Sequence, residues 1–318
     1  MGSAGSLVRD GADGRASGTS SSPGTRRGGG GLTLRVAFLG TPADAVPALE
    51  GLVAADHEVA LVVTRPDARR SRRSAPEPSP VKVAAARLGL RLAEDPGEVT
   101  GAGVELGVVV AYGRLLRPPL LGGVPLVNVH FSLLPRWRGA APVERAILAG
   151  DTCSGVCLME VVEQLDAGPL YRRVPTPIGP EETAAELRAR LAGMGGEVLV
   201  AALEEGLGEP APQEGEVTYA AKLAPEERRL DWARAAEELV AVVRVGRAWT
   251  TVEGKRLLVL DARAEHGCGR GVPGDLDGTA VTTGSGRFRL VRVQPEGRPP
   301  LDAAAWLRGA RDVTRLGS

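Results

Sequence analysis

From Leu34 onward the chain alternates short apolar runs with stretches of helical spacing, and this alternation narrows the fold more than any other feature. Leu34 to Leu39 reads as a strand closed by Gly40. Thr41 then reads as an N-cap, with Pro42 at the first helical position, Asp44 in the first turn, and Val46, Leu49, Leu52 and Val53 at helical spacing. Further strands are expected at Glu58 to Val63, Leu106 to Ala111 and Leu126 to His130, with helices near 80–88 and 142–149. Strands separated by helices must be joined by crossovers that cover a sheet face. The expectation is therefore an α/β fold with a Rossmann-like parallel sheet.

The pattern changes after residue 205. Residues 206–217 are rich in Gly, Glu and Pro and read as a linker. A helix is expected from Ala233 to Val243, then short β-like runs near 249–253, 256–262, 279–283 and 287–293, which suggest a small OB-like β-barrel. The segment 1–32 is rich in Gly, Ser, Arg and Thr, has little to bury and is expected to lack order. The division is thus a tail (1–32), an α/β domain (33–205), a linker (206–217) and a β domain (218–318). With aromatics at only 3%, the core must be built from Val, Leu and Ala.

Composition bears on function by exclusion. The net charge is zero, so nucleic acid could be attracted only through a local basic patch. Three cysteines do not make a disulfide framework. No apolar run approaches the roughly 18 residues that span a bilayer. A cytoplasmic protein that engages no membrane is the expectation.

Asn128 and His130 lie two apart on the fourth strand and face one side of it. They fall at its C-terminal end, where open α/β sheets place ligands. Taken alone, a hydrogen-bonded core pair is as good a reading. Asp166, two residues before Gly168 and just past the apolar run Gly155 to Val162, reads by itself as a turn residue. Cys153 and Cys157 share a strand face, where burial is expected, and lack a second pair at zinc spacing. His57 is expected at the surface, and His266 and Cys268 in a solvated turn. Gly40 does not complete a dinucleotide-binding glycine motif. The run Arg69-Arg70-Ser71-Arg72-Arg73 reads first as a solvated loop.

Taken together, these segments resemble a known family. Val127 to Pro142 (VNVHFSLLPRWRGAAP) followed by Leu165-Asp166-Ala167-Gly168 is similar to the signature of the formyltransferases that use 10-formyltetrahydrofolate. Phe38 to Pro42, Arg65-Pro66-Asp67, Ser79 to Lys82, Val109 to Leu115, Tyr219 to Leu223 and Asp231-Trp232 extend the likeness in the same order. The stretch SLLPRWRGAAP is most similar to the branch that acts on initiator methionyl-tRNA. The resemblance implies a catalytic set of Asn128, His130 and Asp166. It implies a folate-binding segment of Ser132, Leu133, Leu134 and Pro135, walled by Tyr112 and Gly113. It also implies tRNA contacts from Arg69, Arg70, Arg72, Arg73 and Lys82, with the β domain adding backbone contacts. The co-substrate would be 10-formyltetrahydrofolate, with no metal, and the enzyme would be a monomer. Two alternatives stand beside this reading: a formyltransferase acting on a small amine such as an amino sugar nucleotide, and a folate- or RNA-binding module without catalysis. The sequence departs from the family pattern at Phe131, at Pro169, in the glycine-free arginine loop and at Gly246 to Trp249.

Overall fold

A computed structural model describes residues 25–26, 32–69, 74–267, 271–310 and 313–317. Residues 1–24 and 27–31, Arg70, Arg72, Arg73 and Cys268 lie outside the described residues. Within the segment expected to lack order, Thr25–Arg26 pairs antiparallel with Leu32–Thr33.

The first half of the chain forms a seven-stranded sheet. Its strands are β1 (Arg35–Gly40), β2 (Glu58–Val63), β3 (Leu92–Ala93), β4 (Leu106–Val110), β5 (Leu126–His130), β6 (Cys153–Glu160) and β7 (Leu170–Pro177). Across the sheet they run β7-β6-β5-β4-β1-β2-β3. The five strands β3, β2, β1, β4 and β5 are parallel. β6 and β7 are antiparallel, so the sheet is mixed where the strand pattern implied a parallel one. The cause is the connection after β5. The chain leaves β5 at His130, runs through α3 and returns in the opposite direction, pairing Cys157 with His130.

The helices are α1 (Val46–Ala54), α2 (Pro80–Arg87), α3 (Pro142–Leu148) and α4 (Ala184–Glu205). α2 starts where Ser79 accepts a hydrogen bond from the Lys82 amide at 3.0 Å. α4 starts with a reciprocal capping box between Thr183 and Glu186. It buries Leu187, Leu191, Leu199 and Leu203 against the sheet, each such side chain contributing about 1.5–3 kcal/mol. Thr41 does not cap a helix. A 3-10 turn at Ala43–Ala45 intervenes before α1, and the Thr41 hydroxyl donates to the Tyr112 carbonyl at 3.2 Å, tying the ends of β1 and β4 together.

The second core is built on the antiparallel strands β8 (Ala248–Val252), β9 (Lys255–Glu265), β10 (Leu276–Asp277), β11 (Ala280–Thr282), β12 (Arg287–Pro295) and β13 (Leu301–Asp302), with α5 (Ala236–Val245) packed on them. The path β8-β9-β12-β11-β10 is open, and β13 adds to β12. Among the described residues β8 and β10 do not pair, so the sheet does not close as the expected barrel would. Trp232 packs edge-on against Phe288 at 5.3 Å between ring centroids. Arg244 of α5 joins the two halves by donating to the carbonyls of Glu182 and Gly179, each at 2.9 Å.

Candidate active site

A cavity of about 660 Å³ opens where β1, β4 and β5 end. This is the crevice at the carboxyl ends of parallel strands that α/β sheets use for ligands. Its wall is mostly apolar, with Val109, Met159 and Val161 among the lining residues. Leu115 and Leu165 belong to the lining too and are 70% and 53% exposed, an apolar rim.

Asn128, His130 and Asp166 all line this cavity. β5 alternates, so Val127 and Val129 point into the core beneath α4 while Asn128 and His130 take the opposite face. His130 is 6% exposed, and its Nε2 lies 2.9 Å from the Trp137 carbonyl. A carbonyl can only accept, so Nε2 carries the proton and Nδ1 is the edge left for chemistry. That edge faces Asp166 Oδ2 at 3.7 Å. Oδ2 also accepts from the Gly139 amide at 2.8 Å. Asp166 sits at φ +47, a left-handed conformation that lifts its carboxylate back over the end of β5. Gly168 has no room for a Cβ, which would run into the Glu160 carbonyl of β6. The Leu165–Gly168 loop is thereby pressed onto the sheet.

The resemblance puts Ser132 to Pro135 against the folate; in the structure they form the turn that follows β5. Ser132 is buried and its hydroxyl closes the turn on the Arg136 carbonyl at 2.6 Å. Leu134 packs with Cys157 and Met159, and none of Ser132, Leu133, Leu134 or Pro135 lines the cavity. Tyr112 and Gly113 do line it, and the Tyr112 hydroxyl is buried with no hydrogen-bond partner among the described residues. Phe131 is accommodated because α4 carries Gly195 opposite its ring. His57 is buried, against the surface position expected for it. Its Nδ1 accepts from the Leu34 amide at 3.3 Å, and burial holds its pKa below the ordinary value. Cys157 is buried as expected, but Cys153, at the start of β6, is exposed.

Of the basic loop, Arg69 is exposed and forms a short antiparallel pair with Pro76, while Arg70, Arg72 and Arg73 lie outside the described residues. Lys82 is held by Asp67 at 2.6 Å and Glu94 at 3.5 Å, so it anchors the base of this hairpin. Among the described residues no group of His, Cys, Asp and Glu could hold a metal ion, and no helix is long and apolar enough to cross a membrane.

Reading the sequence missed Gln213 and Thr218, both in or beside the stretch taken as a linker. Gln213 Nε2 donates to the carbonyls of Asp166 and Gly168, each at 2.8 Å. Thr218 Oγ1 accepts from the Trp137 amide at 2.9 Å.

The sequence profile described as "Formyl transferase" matches residues 34–203, and "Formyl transferase, C-terminal domain" matches 222–311. The methionyl-tRNA formyltransferase of Clavibacter sepedonicus is 43% identical over 87% of this chain and 97% of its own length. The chain belongs to the methionyl-tRNA formyltransferase family. Another member, from Dinoroseobacter shibae, is 42% identical over 89% of this chain and 100% of its own length. The fold is shared more widely. An N-formyltransferase from Helicobacter canadensis superposes with a TM-score of 0.63 at 13% identity, over 83% of this chain and 100% of that one. As in any formyltransferase of this family, the co-substrate is a folate.

Proposed function

We propose that the chain moves a formyl group from 10-formyltetrahydrofolate to the free amine of methionyl-tRNA, and that Asn128, His130 and Asp166 carry the chemistry. The observation behind the second part is their convergence on one apolar cavity. The cavity suits the donor: about 660 Å³ lies within the range of about 300–1,000 Å³ usual for small-molecule sites. Its exposed rim at Leu115 and Leu165 is apolar surface that a flat ring system would cover.

A bond forms between the methionyl nitrogen and the formyl carbon, the bond from N10 to that carbon breaks, the amine loses a proton and N10 gains one. Asn128 donates an amide N–H to the formyl oxygen as negative charge gathers there. Such fixed donors are worth about 2.7–4 kcal/mol to the transition state. At 3.7 Å, His130 Nδ1 and Asp166 Oδ2 stand side by side, close enough for one bound group to reach both. Asp166 takes the amine proton, directly or through water, and His130 Nδ1 accepts it in turn and passes it towards N10.

The arginine hairpin gives tRNA its contact. Arg69, Arg70, Arg72 and Arg73 would grip acceptor-stem phosphates, with Lys82 setting the hairpin's base through Asp67. The β domain would add backbone contacts. The enzyme would work as a monomer in the cytoplasm.

The deciding experiment is incubation of the purified protein with 10-formyltetrahydrofolate and charged initiator tRNA, with elongator methionyl-tRNA and an amino sugar nucleotide as competing amines. Formylation of initiator methionyl-tRNA is expected. Transfer only to the sugar amine would overturn the assignment of substrate.

A further inference from the structure

The stretch between the two sheets does more than join them. Leu170 and Ala211 exchange backbone hydrogen bonds at 2.7 and 2.9 Å, which draws the chain beside the Asp166 loop. Gln213 then bridges two loops. Its Nε2 holds the Asp166 and Gly168 carbonyls. Its Oε1 accepts from Arg138 Nη2 at 2.7 Å and Nε at 3.1 Å. Arg138 is only 8% exposed, so this neutral amide is a principal partner of a nearly buried cation. Further on, Thr218 donates its amide to the Pro135 carbonyl at 3.3 Å and accepts at its carbonyl from the Arg138 amide at 2.9 Å. Arg138–Gly139 and Tyr219–Ala220 pair as parallel two-residue strands. The approach is so close that a Cβ on Gly139 would lie 2.8 Å from the Ala220 carbonyl oxygen.

These contacts end on the atoms that fix the catalytic groups. His130 Nε2 is held by the Trp137 carbonyl, and the Trp137 amide is held by Thr218. The Asp166 carboxylate is held by the Gly139 amide, and Gly139 is paired to the strap at Ala220. Trp137 and Asp166 both have left-handed backbones, at φ +67 and +47. A bulky indole there is costly, although an aspartate is tolerated better, and such conformations persist where the surroundings over-determine them. Here the strap supplies that determination at both positions.

We propose that residues 211–220 are a positioning strap, with Gln213 and Thr218 as positioning residues that set His130 and Asp166 for formyl transfer. This rests on the catalytic roles given to those two residues above. Neither Gln213 nor Thr218 lines the cavity, so their loss acts on geometry and not on substrate binding. Misplacing a reacting group by about 1 Å costs on the order of a hundredfold in rate.

The test uses the full chain with Gln213→Ala, Gln213→Glu, Thr218→Val, Thr218→Ser and, in parallel, Asp166→Ala. Gln213→Ala and Thr218→Val should lower kcat by roughly 10- to 100-fold with KM for donor and acceptor unchanged. Gln213→Glu keeps the acceptor for Arg138 but cannot donate to the two carbonyls, and should fall with the alanine variant. Thr218→Ser keeps the hydroxyl acceptor and should recover the rate. The imidazole Nε2 proton signal of His130 should shift in Thr218→Val and not in Thr218→Ser. Wild-type kcat in Gln213→Ala and Thr218→Val, beside an inactive Asp166→Ala, overturns the strap. So does a loss in which kcat and thermal midpoint fall while KM rises, or one that Thr218→Ser fails to restore. A fully active Asp166→Ala would instead overturn the catalytic reading itself.

Discussion

Asp166 Oδ2 and His130 Nδ1 stand 3.7 Å apart in the cavity wall. That is beyond hydrogen-bonding range, although the same carboxylate oxygen is fixed at 2.8 Å by the Gly139 amide. The pair is therefore held open by its surroundings. Asp166→Ala should lower the formylation rate at least about a hundredfold, the scale of a lost proton-transfer group. Single-turnover formylation with a saturating donor would measure it. A rate within a few-fold of wild type removes Asp166 from the reaction.

Gly168 makes a prediction about packing. An added Cβ meets the Glu160 carbonyl, which belongs to a paired strand and cannot yield. Gly168→Ala should cost about 1–3 kcal/mol of stability, as overpacking usually does. It should also displace Asp166, so activity should fall further than stability. Chemical denaturation paired with the rate assay separates the two. A variant as stable and active as wild type would show that the loop has slack.

His57 should make the protein sensitive to mild acid. Burial lowers its folded-state pKa below the ordinary 6.5, against a smaller opposing pull from Glu204. The unfolded chain takes up a proton near 6.5 and the folded chain resists until lower pH, so protons favour unfolding. The His57 contribution is intact above that value and is lost as pH falls below it. His57→Gln should flatten the change in thermal midpoint between pH 7.5 and 5.5, two values bracketing the ordinary pKa of about 6.5. An equal acid slope in both proteins would place the sensitivity elsewhere.

The two cysteines of β6 should react unequally. Burial pushes the Cys157 thiol up to about 11, and Cys153 is exposed. Since the thiolate is the nucleophile, iodoacetamide at pH 8 should label Cys153 in the native protein and Cys157 only after denaturation. Site-resolved mass spectrometry of the labelled peptide reads this directly. Rapid native labelling of Cys157 would mean that β6 opens on the time scale of the reaction.

The two polar residues that β5 turns into the cavity were legible because they obey local rules. Period-two alternation put Asn128 and His130 on one face, and the strand's end put them at a ligand crevice. Their partner Asp166 needed the family likeness, since an Asp before a Gly looks like any turn. Strand positions were legible too, whereas the reversed direction of β6 was not, because apolar runs carry no arrow and the connection through α3 sets it. The open path of the second sheet is likewise a matter of long-range pairing. His57 looked superficial because a lone histidine after a helix carries no periodic signal of burial. Gln213 was hidden most completely. It lies among Gly, Glu and Pro residues that lack any hydrophobic pattern, and its importance consists of hydrogen bonds to backbone atoms 45 and 47 residues earlier.

The order of the chain gives the strap a further meaning. Every strand of the first sheet, and the helix packed on it, is translated before Ala211 emerges. A nascent chain can thus close its cavity while the loops that carry His130 and Asp166 still lack their clasp. Synthesis and folding of the α/β half would finish before its cavity is complete, and the last adjustment would be made by the ten residues 211–220, which belong to neither core.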